Sequence, residues 1–433
     1  LFHRGLGAVD RHPIVVVAAV AAVARLAAVV LLGPLRHGVV VPDEKQYIDL
    51  AAAVATGRGA ESWRPGYGQQ LFDSTSAFMR PLTLLTELFG PHQMSGQVLA
   101  AAFGVLTAVL TTVLALRVTG RRWACAAGLI VALLPSQVFW SSIVLRESMV
   151  WTCLVALALA VALAATAQSR RKLVLPVALA AAGLWGLGDL RGQTAVVAGV
   201  ALVGASLLAG RRHRVLVPVG ATLIAIVMPI LAGLGIAGLG LVETSVPRLA
   251  TLRTALSLGA DSAFVERRQL PPEPSPAAGA TPGAPGVGPS APVVVGPSGD
   301  RYAVDNGADA TLSALPRGLV AVTVRPLPWE AAPSVAVKLA KMENVLWSLG
   351  YVLALIGVVD RWRNRDMLAF PVLATGLVVG VAAVTQGNLG TAFRHRGQVL
   401  WAVALLAVLG LESLVQRLSS RAAAGSETVD VRA

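Results

Sequence analysis

Ten apolar runs punctuate this chain, and alternate gaps between them carry clusters of basic residues. The runs lie at 14–32, 97–116, 123–140, 149–167, 173–187, 194–209, 215–242, 345–359, 367–385 and 398–411. Each is near the roughly 20 residues that cross about 30 Å of hydrocarbon as a helix. The clusters are Arg4 and Arg11; Arg117, Arg121 and Arg122; Arg170, Arg171 and Lys172; Arg211, Arg212 and Arg214; Arg361, Arg363 and Arg365; and Arg417 and Arg421. Ten spans with a cytoplasmic N-terminus put all of them on one side, which is the positive-inside pattern. One missed span would break that alternation. The expectation is an all-α polytopic protein of the plasma membrane, with about ten transmembrane helices and both termini cytoplasmic.

Within this frame, 123–140 is expected to bend or end near Pro135, and 215–242 to tilt or kink at Pro218 or Pro229. Arg25 stands inside the first run, where a charge must snorkel or face a polar cavity. That run follows a basic segment, as a signal peptide does. It is too long for the usual apolar region and has no clear small-x-small exit, so it reads as a span. The formal net charge of +13 would suit a polyanion. The basic residues come in short clusters between apolar runs, however, with no basic domain carrying interleaved aromatics, so nucleic acid is not an expected partner. Cys125 and Cys153 fall toward opposite faces and lack metal-ligand spacing, so no disulfide is expected.

Four segments follow. Residues 1–242 form a membrane module with seven spans and a first outer loop at 33–96. Residues 243–343 form an extracytoplasmic loop, whose Pro/Ala/Gly/Ser tract at 271–298 reads as a disordered linker. Residues 344–416 form a second membrane module, and 417–433 a polar cytoplasmic tail expected to fray.

The outer loops hold the chemistry-bearing side chains. In Val41-Pro42-Asp43-Glu44-Lys45-Gln46-Tyr47-Ile48-Asp49-Leu50, Pro42 stops what precedes and Asp43 is placed to cap a helix. Tyr47, Leu50, Ala51 and Val54 then give that helix one apolar face, as in a helix lying on the bilayer surface. A second amphipathic stretch at 78–89 carries Arg80. Arg146 and Glu147 close the turn after the third span, Asp189 and Arg191 lie between the fifth and sixth, and Arg394-His395-Arg396 lies between the ninth and tenth. Outer loops normally avoid arginine, so arginines beside carboxylates at one membrane depth point to a site for an anionic ligand. Plainer readings stand beside this one. Asp43 and Glu44 would also serve to cap and solvate a surface helix. Arg146–Glu147 and Asp189/Arg191 would also serve as structural ion pairs, and Phe139, Trp140 and Trp329 as aromatic-belt anchors. Arg394-His395-Arg396, in a Gly-rich turn, fits phosphate better than a structural role. His395 has no second histidine at ligand spacing, so it does not indicate a metal.

These motifs together resemble the GT-C superfamily of integral-membrane glycosyltransferases, which includes protein O-mannosyltransferases and lipid A aminoarabinose transferases. The resemblance rests on Asp43-Glu44 just after the first span and Arg80-Pro81 late in the first outer loop. It also rests on Glu147 entering the fourth span and on Arg394 and Arg396 before the last. More narrowly, 135–147, 343–347 and 387–396 look like actinobacterial-type membrane glycosyltransferases of unassigned acceptor. No Trp-Trp-Asp-Tyr-Gly element is present, which disfavours an oligosaccharyltransferase. The resemblance implies a GT-C-like fold with its active site on the extracytoplasmic face. It also implies a polyprenyl-phosphate sugar as donor, and a glycan or glycolipid acceptor drawn from the envelope and its membrane lipid. Asp43 would then be the base, with Glu44 or Glu147 orienting the acceptor or holding a divalent cation. Arg80, Arg394, His395 and Arg396 would hold the donor phosphate. No cofactor is assigned and metal use stays open. Two other classes fit less well: a polymerase or ligase using a polyprenyl-diphosphate donor, and a transporter, for which the spans are too poor in charge.

Overall fold

The computed structural model describes residues 11–32, 41–208, 268–269, 293–295, 301–303, 315–330, 335–385 and 389–430. Helix α1 (Pro13–Leu32) is followed by α2 (Pro42–Ala55), the short α3 (Ala60–Trp63) and α4 (Gly68–Asp73), α5 (Ser76–Phe89) and α6 (Gln93–Ala115). Then come α7 (Arg121–Leu133), α8 (Pro135–Trp140), α9 (Glu147–Ala165), a 3-10 turn (Arg170–Leu173) and α10 (Val174–Leu208), which is interrupted by an extended residue, Arg191. Three short strands follow, β1 (Arg268–Gln269), β2 (Val293–Val295) and β3 (Arg301–Ala303). The last elements are α11 (Leu315–Thr323), α12 (Val335–Arg361), a 3-10 turn (Trp362–Asn364), α13 (Arg365–Thr385), α14 (Leu389–Arg396) and α15 (Leu400–Asp430).

Among the described residues, six helical segments are long and apolar enough to cross a membrane. They are Pro13–Leu31, Gln93–Ala115, Glu147–Ala165, Arg171–Leu208, Val337–Thr385 and Leu400–Arg421. This is the make-up of a polytopic membrane protein. The expected runs 173–187 and 194–209 both fall in Arg171–Leu208, and 345–359 and 367–385 both fall in Val337–Thr385. The run 123–140 is split at Leu134 into α7 and α8, because Pro135 cannot continue α7. The run 215–242 lies outside the described residues.

Two compact units divide the chain: Leu1–Val242 with Leu346–Val378 and Gly397–Ala433, and Glu243–Val345 with Val379–Arg396.

In the first unit α6 packs against α1, α7 and α9, α9 packs on α10, and α15 packs on α7. Small residues set these approaches. A Cβ on Gly128 of α7 would overlap Thr112 Oγ1 of α6 and press on Val17 of α1, so three helices meet there. On α12 and α15 the fit is tighter. A Cβ on Gly357 would overlap the Leu406 carbonyl, and one on Gly410 the Leu353 carbonyl, so the two backbones touch. Helix α15 continues to Asp430.

Arg25 shows how the break in α7 is stabilised. The Val131 carbonyl would ordinarily accept from residue 135, which is proline and has no N–H. Fully buried Arg25 supplies the donor, with Nη2 3.3 Å from the Val131 oxygen and Nη1 3.0 Å from that of Ala132. The arginine neither snorkels nor faces a polar cavity. It caps a helix C-terminus, where a cation is also favoured by the helix dipole. Arg25→Met is expected to destabilise by about 1–3 kcal/mol for each carbonyl orphaned. Adding Pro135→Ala should return part of the loss by restoring an N–H to Val131. Unfolding of the two variants in detergent micelles checks this.

In the second unit the strands form an antiparallel sheet in the order β1-β3-β2, with Val293 opposite Ala303 and Val295 opposite Arg301. Residues 293–295 are therefore a paired strand, not part of a disordered linker. The rest of 271–298 lies outside the described residues. Helix α11 packs on α14, and a Cβ on Gly318 of α11 would overlap the Ala383 carbonyl of α13.

Candidate functional site

Helix α2 begins two residues earlier than expected. Its N-cap is Val41, which makes no side-chain cap bond, and Pro42 occupies the first turn with Asp43 and Glu44. Proline is suited to that position because its missing N–H would have no helical partner there. The two carboxylates complement the positive end of the helix dipole. The expected apolar face is present. Tyr47, Leu50 and Ala51 are buried, and the Tyr47 ring meets Phe78 of α5 edge-on with centroids 5.4 Å apart.

The two acidic neighbours differ in burial. Asp43 is partly exposed, whereas Glu44 is fully buried. Glu44 Oε1 accepts from Gln93 Nε2 at 2.9 Å and from the backbone N–H of Val144 at 2.9 Å. Val144 belongs to a non-helical stretch, 141–146, in which Ile143, Val144 and Leu145 are fully buried. A buried irregular stretch must find partners for its backbone, above all in a membrane protein. Glu44 meets that need for Val144, so it locks α2 to the start of α6 and to the chain entering α9.

Three further polar contacts tie α9, α10 and α5 together and α10 to Gln398. Glu147, 1% exposed in the first turn of α9, accepts from Arg191 Nη2 at 2.6 Å, and Arg191 is the residue that interrupts α10. Two residues earlier on α10, Asp189 Oδ2 accepts from Ser76 Oγ at the head of α5 at 2.8 Å. Past the break, Thr194 Oγ1 donates to Gln398 Oε1 at 3.1 Å. Of the residues marked in the sequence, Glu44, Glu147, Asp189 and Arg191 are all bound into this framework. In each of Glu44 and Glu147 these bonds fix the carboxylate through its Oε1. Asp43 is partly exposed, Arg146 partly buried, and Arg80 exposed on α5 one turn beyond Ser76. The Nε of Arg146 is buried without a hydrogen-bond partner.

Phe139 and Trp140 are buried and packed edge-on, with centroids 4.9 Å apart, so they are core rather than interfacial anchors. Cys125 and Cys153 are free thiols. Among the described residues no three His, Cys, Asp or Glu side chains cluster as metal ligands would.

In the second unit, Arg394, His395 and Arg396 end α14. Arg394 and His395 are partly buried, but Arg396 is 1% exposed. Its Nη1 donates to Asn344 Oδ1 at 2.9 Å, its Nη2 to the Arg325 carbonyl, and its guanidinium lies over the Phe393 ring. Asn344 in turn donates to the Pro326 carbonyl at 2.8 Å. Arg396 therefore fastens the segment around Arg325 and Pro326 and does not offer a phosphate-binding fork. Trp329, by contrast, is 79% exposed, as an anchor would be.

Sequence reasoning missed Gln93 and Ser76, which hold Glu44 and Asp189. Each is a polar residue at the head of a helix, a signal present in the sequence but common to many helices. Compared with models of protein families, with curated proteins and with solved structures, the chain matches none.

Proposed function

We propose that this chain is an inverting glycosyltransferase that moves a sugar from a polyprenyl-phosphate donor to a glycan or lipid acceptor of the cell envelope. One observation carries the reading: buried Glu44 is bonded on two sides while adjacent Asp43 remains partly exposed at the head of the same helix. A general base needs access to its substrate and a fixed direction, and the pinned neighbour provides the second. Arg80 is exposed on α5, which packs on α2, and its guanidinium suits the oxygens of a phosphate leaving group. The acceptor oxygen attacks the anomeric carbon and gives its proton to Asp43. The sugar–phosphate C–O bond breaks with its electron pair leaving on the phosphate. One direct displacement inverts the anomeric centre.

Asp43→Ala is expected to lower turnover about 10²–10⁴-fold in a protein that still folds, a loss far larger than the small stability change from a missing first-turn carboxylate. The assay follows lipid released from synthetic polyprenyl-phosphate sugars by mass spectrometry, with envelope extract as acceptor. Polyprenyl diphosphate released whether or not Asp43 is present would overturn this reading in favour of a polymerase or ligase.

A further inference from the structure

The first unit has a polar cleft where the last turn of α12 meets α15. It measures about 400 Å³ and is lined by Asp360, Arg361, Ser413, Gln416, Arg417 and Ser420. Arg417 Nη2 donates to Asp360 Oδ1 at 2.6 Å, and Arg361 Nη2 to Glu412 Oε2 at 2.9 Å. The same Glu412 oxygen accepts from Thr119 Oγ1 at 2.8 Å. These bonds bring together three stretches far apart in sequence: the turn after α6, the turn after α12, and α15. Each brings exposed arginines, namely Arg117, then Arg363 and Arg365, then Arg417 and Arg421.

The two carboxylates hold Arg361 and Arg417 in place but do not exhaust them. Each guanidinium spends Nη2 on its carboxylate and keeps further N–H groups for a ligand. With the Gln416 amide and the Ser413 hydroxyl, the cleft is rich in donors, and its rim carries a surplus of positive charge. That donor set suits a phosphate. The cleft lies where α12 ends and in the last turns of Leu400–Arg421, at the ends of helices long and apolar enough to cross a membrane. Lipid headgroups lie at that depth, so a phosphate carried on a lipid would meet this donor set.

We propose that this cleft binds the headgroup phosphate of an acidic phospholipid, with Arg361 and Arg417 as its main donors. Basic pockets between membrane helices recognise headgroups in this way. Its acyl chains stay in the bilayer. The site has no residue in common with the proposed catalytic framework, so either reading can fail without the other.

The test is native mass spectrometry of the full chain in detergent, titrated with dioleoyl-phosphatidylglycerol, dioleoyl-phosphatidylcholine and inorganic phosphate. The acidic lipid is expected to bind at least about tenfold more tightly than phosphatidylcholine, as two or more surplus arginines would give. Arg417→Gln should weaken it about fivefold, and Gln416→Glu, which breaks no ion pair, by a similar factor. Arg171→Gln, an exposed arginine outside the cleft, should change it less than about twofold. Equal binding of the two lipids, or an equal loss in Arg171→Gln, would overturn the proposal by reducing the effect to diffuse surface charge. Saturation of the site by inorganic phosphate at the lipid's own concentration would overturn it in favour of a soluble phosphate ligand.

Discussion

Glu147→Ala is expected to cost about 3–5 kcal/mol of stability, the largest loss for any single carboxylate in the first unit. The side chains of the Glu147–Arg191 pair are 1% and 11% exposed, so the charge left by removing one partner is poorly compensated by water. The cost comes from that buried charge more than from the lost attraction. The double variant Glu147→Leu with Arg191→Met should therefore recover most of the loss, because a well-packed apolar pair often replaces a buried ion pair at little expense. Unfolding in detergent micelles or nanodiscs reads both. A single variant that loses less than about 1 kcal/mol would show that water reaches the break in α10 and that the pair does not hold it.

A comparable loss is expected from Gly357→Leu or Gly410→Leu. Each side chain would be driven into a backbone carbonyl of the opposite helix, Leu406 or Leu353. A flexible side chain can swing aside, but a helical carbonyl cannot without moving its helix. The effect should thus lie at or above the upper end of the usual 1–3 kcal/mol for overpacking, about 3 kcal/mol or more. Gly376→Ala is the control: no heavy atom lies within 4 Å of an added Cβ there, so helix propensity alone should make it neutral or slightly stabilising. Equal behaviour of Gly357→Leu and Gly376→Leu would mean that α12 and α15 do not touch as described.

What the sequence made legible was local. The break at Pro135 follows from the missing N–H, and the apolar face of α2 from helical spacing. The different roles of Asp43 and Glu44 were not legible, because the group that separates them is a backbone N–H at Val144, a hundred residues away. A backbone donor leaves no mark in the residue letters. Arg25 was visible as a charge in an apolar run, but its partners are carbonyls, equally unmarked. Arg396 misled for the opposite reason. A basic turn rich in glycine has the composition of an anion site, and only burial against Asn344 shows that the guanidinium is already used. Val293-Val294-Val295 carried a strand signal that the surrounding proline and glycine content outweighed.

The cap that Arg25 provides also imposes an order on biosynthesis. Its acceptors, Val131 and Ala132, lie 106 and 107 residues downstream. At roughly 5–20 residues per second, the interval between the emergence of donor and acceptor is about 5–20 s. Throughout it the first helix carries an uncapped cation, which costs about 2.5–3.5 kcal/mol at the centre of a lone span. Settled residence of α1 in the bilayer thus depends on the arrival of α7. A hydrophobic segment made early is completed only by one made much later.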